Sequence, residues 1–185
     1  MAGYRPEVDR QNVAKHGINR SYLTEEREMI KVLFICHGNI CRSPMGMYIL
    51  RKMVEEEGLS GHFQIDSAAT STEELGNPVY PPAFRKLAEM GINAKGHRAH
   101  QMSRREYDEY DYIIAMDKWN LRNLKYITGE DVQKKISLCL DYTDEPGEID
   151  DPWYTRDFDT AYDQICRGCR GFLEYLKREN PELNT

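Results

Sequence analysis

The chain has 185 residues, of which 40% are hydrophobic and 30% charged, and its formal net charge at pH 7 is −6. This size and balance are typical of one ordinary soluble α/β domain with enough mass to bury a core. The negative charge argues against a nucleic acid as partner. No apolar run approaches the roughly 20 residues that span a bilayer, so no membrane association is expected.

The first 29 residues are polar and strongly charged and show no clear apolar face. They precede the first predicted strand, and Met29 stands just before that strand, where a translation start would be natural. We therefore expect residues 1–29 to be a dispensable leader and residues 30–180 to form a single domain. A functional tail is the alternative.

A short apolar run at residues 32–35 predicts a strand that is buried on both faces, as in a parallel sheet. The run ends at Cys36, a loop follows, and Arg42 stands six residues after Cys36. Ser43 and Pro44 predict the start of a helix, with Ser43 as its N-cap. Backbone N–H groups and the helix dipole converge on a small anion in such a loop, and they favour the thiolate over the thiol.

The residue types in this loop suit phosphoryl chemistry. Arg42 has a planar fork that can hold two phosphoryl oxygens at once. Ser43 can donate its hydroxyl to a thiolate, and Gly38 and Asn39 tolerate positive φ, which lets the loop curl around a ligand. We therefore predict that Cys36 is a nucleophile at neutral pH.

Residues 36–44 read CHGNICRSP. This segment resembles the CxGNxCRSP signature of the low molecular weight protein tyrosine phosphatase family, and a strand before it and a helix after it make the match specific. The resemblance implies that Cys36 attacks phosphorus and that Arg42 binds the phosphate. The other phosphate-binding residues that it implies are His37, Gly38, Asn39, Ile40, Cys41 and Ser43.

The rest of the chain alternates predicted helices and strands. Repeated alternation of this kind predicts a single-domain three-layer α/β/α sandwich with a central four-stranded parallel sheet, Rossmann- or flavodoxin-like, and a site beyond the carboxyl ends of the strands. Residues 141–156 are predicted to form a long acidic loop, and a Ser103–Glu106 capping box to begin a brief helix. The remaining predicted helices are 44–57, 81–90, 118–126 and 158–177, and the remaining strands are 62–67, 111–116 and 136–139.

Expulsion of an alkoxide or phenolate also needs a proton donor. Residues 150–154 read DDPWY, which resembles the family's Asp-Pro-aromatic loop and implies that Asp151 is the general acid. Asp150 is the alternative for this role. Pro152 fixes the backbone, and Trp153 and Tyr154 could sandwich an aryl ring of the substrate.

Further roles come only from the resemblance. The family uses residues that match Asn39, Ser67 and His97 to hold the loop in shape, although His97 taken alone would be an ordinary surface histidine. Gly46 and Met47 depart from the Ala-Glu that family members usually carry, in the helix behind the loop.

Separate expectations apply to Cys41 and to the pair Cys166 and Cys169. Cys41 resembles the family's second cysteine, which forms a reversible disulfide with the nucleophile Cys36 and protects it from irreversible oxidation. Cys166 and Cys169 form a CxxC on a predicted amphipathic helix, where both lie on one side. We expect that pair to pack in the core and not to bind zinc.

These features predict a protein tyrosine phosphatase that requires no metal or organic cofactor and acts on a phosphotyrosine-containing protein or a small aryl phosphate. An odd number of cysteines and the need for a reduced Cys36 place it in the cytoplasm. We expect a monomer or weak dimer. Glu73, at the rim where some relatives carry an aromatic residue, predicts weaker binding of substrates with acidic flanks.

Three alternative functions are weaker. An arsenate reductase needs additional cysteines that relay a disulfide, and Cys139 is the only unplaced thiol. Phosphoarginine phosphatases of the same family look to carry Thr where this chain has Ile40. A non-catalytic phosphate-binding protein would need no general acid such as Asp151.

Overall fold

The computed structural model describes residues 29–184, so the expectation for the leader concerns residues outside this range, apart from Met29. Within it, four parallel strands form one sheet in the order β2-β1-β3-β4. The strands are β1 (Ile30–Cys36), β2 (Phe63–Ala69), β3 (Tyr112–Ala115) and β4 (Ile136–Leu138). The helices are α1 (Arg42–Glu56), α2 (Pro81–Glu89), α3 (Arg104–Glu109), α4 (Lys118–Thr128), α5 (Pro152–Thr155) and α6 (Phe158–Glu179).

Helices cover both faces of the sheet. In β1, Val32 and Phe34 face the core that α1, α2 and α6 complete, whereas Leu33 and Ile35 face the core under α3 and α4. Successive side chains of a strand point to opposite faces, so a strand covered on both sides must be apolar throughout. The predicted three-layer sandwich with its four-stranded parallel sheet is therefore confirmed.

Two local predictions were wrong. Helix α1 begins at Arg42 with Cys41 as its N-cap, so Ser43 lies inside the first turn and does not cap the helix. The segment predicted as a continuous loop at residues 141–156 contains the one-turn helix α5 and begins within a 3₁₀ turn, Cys139–Tyr142. One turn is too short to show a helical period, although Asp151 as N-cap and Pro152 are ordinary signals for a helix start.

The fold brings the carboxyl ends of β1 and β3 to the same edge of the sheet. Ile35 of β1 pairs with Ala115 of β3, so Cys36 and the residues after Ala115 emerge side by side. The N–H of Ile149 donates to the carbonyl oxygen of Met116 at 2.9 Å, which ties the segment before α5 to this edge. Among the helices of residues 29–184, none is both long and apolar enough to cross a bilayer.

Candidate active site

The thiol of Cys36 lies at the point where β1 ends, just before α1, and it is almost completely buried. The hydroxyl oxygen of Ser43 is 3.0 Å from its Sγ. The Nδ2 amide of Asn39 donates to the same hydroxyl oxygen at 2.9 Å. Because that oxygen accepts from Asn39, its own hydrogen can be directed at the sulfur, where it would stabilise a thiolate.

Asn39 holds the loop in a left-handed turn, with φ of 59°. Its Nδ2 also donates to Ser67 Oγ at 2.9 Å, and its Oδ1 accepts from the N–H of His100 at 3.2 Å. The side chain is fully buried. A short amide side chain that bonds locally is one of the few that tolerate this backbone conformation, and here the bonds reach neighbouring segments as well.

His97 supports the same turn from the other side. Its Nε2–H donates to the main-chain oxygen of Asn39 at 2.7 Å. Burial lowers the pKa of His97, and the hydrogen bond to Asn39 opposes that shift only in part. The imidazole is therefore a neutral donor at pH 7, buried against the loop and not exposed at the surface.

The outer part of the loop differs from the expectation in one respect. Positive φ occurs at Asn39 but not at Gly38, so the prediction for Gly38 was wrong. A Cβ at Gly38 would lie 3.2 Å from Cγ of Glu74, so the position favours a small residue for reasons of space. Next to it, Nε2 of His37 is 3.0 Å from Oε2 of Glu73, and both side chains are exposed.

Arg42 is the buried cation of the site, with only 2% of its side chain exposed. Its Nη1 donates to Asp117 Oδ2 at 2.6 Å and to the carbonyl oxygen of Ile149 at 2.8 Å. Its Nη2 donates to Asp151 Oδ2 at 3.0 Å. Burial disfavours the charge, but Cys36, Asp151 and Asp117 together raise the pKa of Arg42 above its usual value.

Asp117 is a site residue that sequence reasoning missed. It follows β3 closely and is the N-cap of α4, where its Oδ1 accepts from the N–H of Asn120 at 2.8 Å. The other carboxylate oxygen orients Arg42. A usable signal existed, because an acidic residue just past the carboxyl end of a parallel strand lies at the edge of the sheet where sites form.

The structure separates the two candidate acids. Asp151 caps α5 through Oδ1, which accepts from the N–H of Trp153 at 3.1 Å, and this leaves Oδ2 directed at Arg42. Asp150 is exposed and lines a cavity of about 580 Å³. Other residues that line this cavity include His37, Arg42, Asp117, Asp151 and Tyr154.

The two aromatic residues after Pro152 lie in different environments. The ring of Trp153 packs on Tyr80, with 4.8 Å between ring centroids. Tyr154 is 81% exposed and lines the cavity above Arg42. Of the two residues, Tyr154 lines this cavity and Trp153 is not among the residues that line it.

The other cysteines are buried or half-buried free thiols. Cys41 packs with Ile40 and Ala99, and burial raises its pKa, as do the neighbouring Cys36 and Asp151, so it is a neutral thiol. Cys169 lies in the core, where its thiol is 3.7 Å from the carbonyl oxygen of Gly46. That environment is the one expected of a packing residue.

Comparison with known proteins identifies the family. Residues 31–182 match the family model for low molecular weight phosphotyrosine protein phosphatase. The low molecular weight protein-tyrosine-phosphatase YfkJ of Bacillus subtilis is 37% identical over 153 residues, which cover 82% of this chain and 98% of the relative. The low molecular weight phosphotyrosine protein phosphatase of Gallus gallus is 41% identical over 155 residues, covering 80% and 96%.

Solved structures support the same family. The crystal structure of YfkJ from Bacillus subtilis superposes with a TM-score of 0.80 at 37% identity and covers 83% of this chain and 98% of that one. SP-PTP, the low molecular weight protein tyrosine phosphatase from Streptococcus pyogenes, gives a TM-score of 0.72 at 36% identity, with coverages of 80% and 93%. The chain therefore belongs to the low molecular weight phosphotyrosine protein phosphatase family.

Proposed function

We propose that the chain hydrolyses phosphotyrosine monoesters through a phosphocysteine intermediate. In this mechanism Cys36 is the nucleophile, Arg42 binds the phosphate, and Asp151 is the general acid and base. The observation that carries the proposal is that the buried guanidinium of Arg42 and the half-buried carboxylate of Asp151 are paired at one cavity, at the end of the loop that begins with the buried thiol of Cys36. A protein that only bound phosphate would not need the carboxylate.

In the first step, the Cys36 sulfur attacks phosphorus while the loop N–H groups and Arg42 hold the equatorial oxygens. Nη2 of Arg42 exchanges the carboxylate of Asp151 for a phosphoryl oxygen, and Nη1 keeps its bonds to Asp117 and Ile149. Once released from Arg42, the carboxylate of Asp151 binds a proton from the solvent. As the S–P bond forms and the P–O bond breaks, this carboxylic acid donates that proton to the departing tyrosine oxygen.

In the second step, the carboxylate of Asp151 takes a proton from a water molecule whose oxygen attacks phosphorus. The S–P bond breaks, inorganic phosphate forms, and the thiolate of Cys36 is restored. The hydroxyl of Ser43, 3.0 Å from the sulfur, can stabilise the charge that returns to it. Asn39, Ser67 and His97 act only by keeping the loop in this shape, a role that their mutual hydrogen bonds support.

Two residues at the rim would contact the rest of the substrate. We assign Tyr154, which lines the cavity, to the aryl group, whereas Trp153 packs on Tyr80. Glu73 is exposed beside His37 and adds negative charge to the rim, so peptides with acidic flanks should show higher KM values.

We also propose a protective role for Cys41. Hydrogen peroxide would oxidise the Cys36 thiolate to a sulfenic acid, and the Cys41 thiol would then displace water to form a disulfide. The position of Cys41 in the same loop, close enough for Cys36 to raise its pKa, supports this step. After peroxide treatment, dithiothreitol should restore full activity to the wild type but not to Cys41→Ala.

The test of the proposed function compares 4-nitrophenyl phosphate, phosphotyrosine and phosphoarginine as substrates. We expect wild type to hydrolyse both aryl phosphates, Cys36→Ser to be inactive, and Asp151→Asn to lose about 100-fold or more in phosphoenzyme formation. Asp150→Asn is the matched control and should retain most activity. Undiminished turnover by Cys36→Ser, or a clear preference for phosphoarginine, would contradict the proposal.

Residues 30–180 are proposed as the catalytic domain, with residues 1–29 dispensable. A chain that begins at Met29 should then keep the kcat/KM of the full chain, and a large loss would show that the leader contributes. The proposed mechanism requires a reduced Cys36, so we propose the cytoplasm as the location of the protein.

A further inference from the structure

The helix that carries Asp151 at its N-cap is α5, a single turn of four residues. A helix of this length cannot hold its position through its own hydrogen bonds. Asp151 accepts a hydrogen bond from Arg42. During the proposed first step Arg42 binds phosphate instead, so the position of Asp151 then depends on what holds α5.

Tyr80 contacts α5 near both of its ends. The ring of Tyr80 packs on Trp153 with 4.8 Å between centroids and an angle of 52° between the planes. The hydroxyl of Tyr80 accepts a hydrogen bond from Nη1 of Arg156, the C-cap of α5, at 2.9 Å. The guanidinium of Arg156 in turn lies 5.6 Å from the centre of the Trp153 ring. Each of these three side chains thus contacts the other two, and together they span the turn.

Tyr80 is also attached to the thiol loop. Its backbone N–H donates to the carbonyl oxygen of Ile40 at 2.8 Å. Its side chain packs against the small apolar cluster of Ile40, Cys41 and Ala99. One residue therefore contacts both the loop that holds the nucleophile and the turn that holds the acid.

We propose that Tyr80 is a positioning residue that sets the distance between the thiol loop and the general acid, acting through Trp153 and Arg156 on α5. This inference rests on the proposed role of Asp151. Each part of Tyr80 has a separate contact: the N–H binds the loop, the ring packs on Trp153, and the hydroxyl binds Arg156. Tyr80 touches no reacting atom, and its effect is confined to proton donation.

A loss of proton donation has a distinctive kinetic signature. A leaving oxygen of low basicity departs without help, whereas a basic one needs the acid. The parameter to measure is kcat/KM, which covers the steps through phosphoenzyme formation, with 2,4-dinitrophenyl phosphate as the good leaving group and phenyl phosphate as the poor one. A merely structural role would lower both values alike.

The main variant is Tyr80→Leu, which keeps the backbone N–H and an apolar side chain over Ile40. We expect kcat/KM for phenyl phosphate to fall about tenfold, with a change of less than about twofold for the dinitrophenyl ester. Tyr80→Phe keeps the ring and should retain most of the wild-type kcat/KM for phenyl phosphate. Arg156→Ala, at an exposed position, should lower the phenyl phosphate value in the same direction but less. Tyr126→Leu, at an exposed site on α4, is the control and should change neither value.

Equal losses on both esters, or no loss on phenyl phosphate for both Tyr80→Leu and Arg156→Ala, would overturn the inference. Asp151→Asn measured in parallel separates this failure from that of the proposed function. If Asp151→Asn discriminates between the esters and the Tyr80 variants do not, only the positioning role fails. If Asp151→Asn does not discriminate either, the acid is another group and both assignments fail.

Discussion

Arg42 and Asp151 form an ion pair, with 3.0 Å between Nη2 and Oδ2. The proposed acid therefore occupies the donor that a phosphate needs. Because Asp151→Asn removes a negative charge that competes with the anion, we expect this variant to bind inorganic phosphate severalfold more tightly even though its turnover falls. The inhibition constant of phosphate against 4-nitrophenyl phosphate measures this. Weaker inhibition than in wild type would contradict it, and Asp150→Asn should show a smaller effect.

Asn39 provides both a left-handed backbone and three side-chain hydrogen bonds, so its two contributions can be separated. Asn39→Ala loses both, and we expect a loss of about 2–4 kcal/mol in the free energy of unfolding. Asn39→Gly restores the backbone freedom and should be about 1 kcal/mol more stable than the alanine variant. Urea unfolding measures both values. An alanine variant as stable as the glycine variant would show that φ at this position is unimportant.

Gly46 allows α1 to lie directly on β1, since a Cβ there would be 2.6 Å from Cδ1 of Phe34. Alanine gains about 1 kcal/mol in helix propensity, but overpacking costs typically about 1–3 kcal/mol. We expect Gly46→Ala to destabilise the protein in urea unfolding, and Phe34→Leu to relieve part of that cost when the two are combined. Gly61, whose Cβ would meet nothing within 4 Å, is the control. A stabilised Gly46→Ala protein would contradict the prediction.

His97 and His100 should titrate in opposite directions. Burial lowers the pKa of His97 below 6.5, whereas the hydrogen bond to Glu106 raises the pKa of His100 above 6.5. NMR of the imidazole nitrogens checks both directions. Equal midpoints for the two residues would contradict the assignment.

The same two shifts have opposite consequences for stability. As pH falls below about 6.5, the unfolded chain takes up a proton at His97 more readily than the folded one, so this residue costs stability at low pH. For His100 the stabilisation is fully present below about 6.5 and is lost as pH rises through the raised pKa. Comparing wild type with His97→Gln and with His100→Gln in urea at pH 5 and pH 8 separates the two. A pH-independent difference for either variant would contradict its prediction.

The strands, the main helices and the loop that carries Cys36 could be predicted from local features of the sequence. The run at residues 32–35 is apolar at every position because both faces of β1 are covered. The Ser103–Glu106 capping box and the spacing between Cys36 and Arg42 are equally local, since each depends on residues that are close together in the sequence. Such signals can be recognised without knowledge of the fold, because residues that are close in the sequence are also close in space.

Other features depended on where distant segments meet. Asp117 reaches Arg42 across 75 positions of the chain, and Tyr80 reaches Arg156 across 76. The register of β1 with β3 and the path of the loops determine those contacts, and no local period encodes them. The sequence by itself thus determined the α/β fold and the loop that carries Cys36. The tertiary structure decided how Arg42 is oriented, where Asp151 lies and what braces it, because those positions are set by side chains from separate elements that pack against one another.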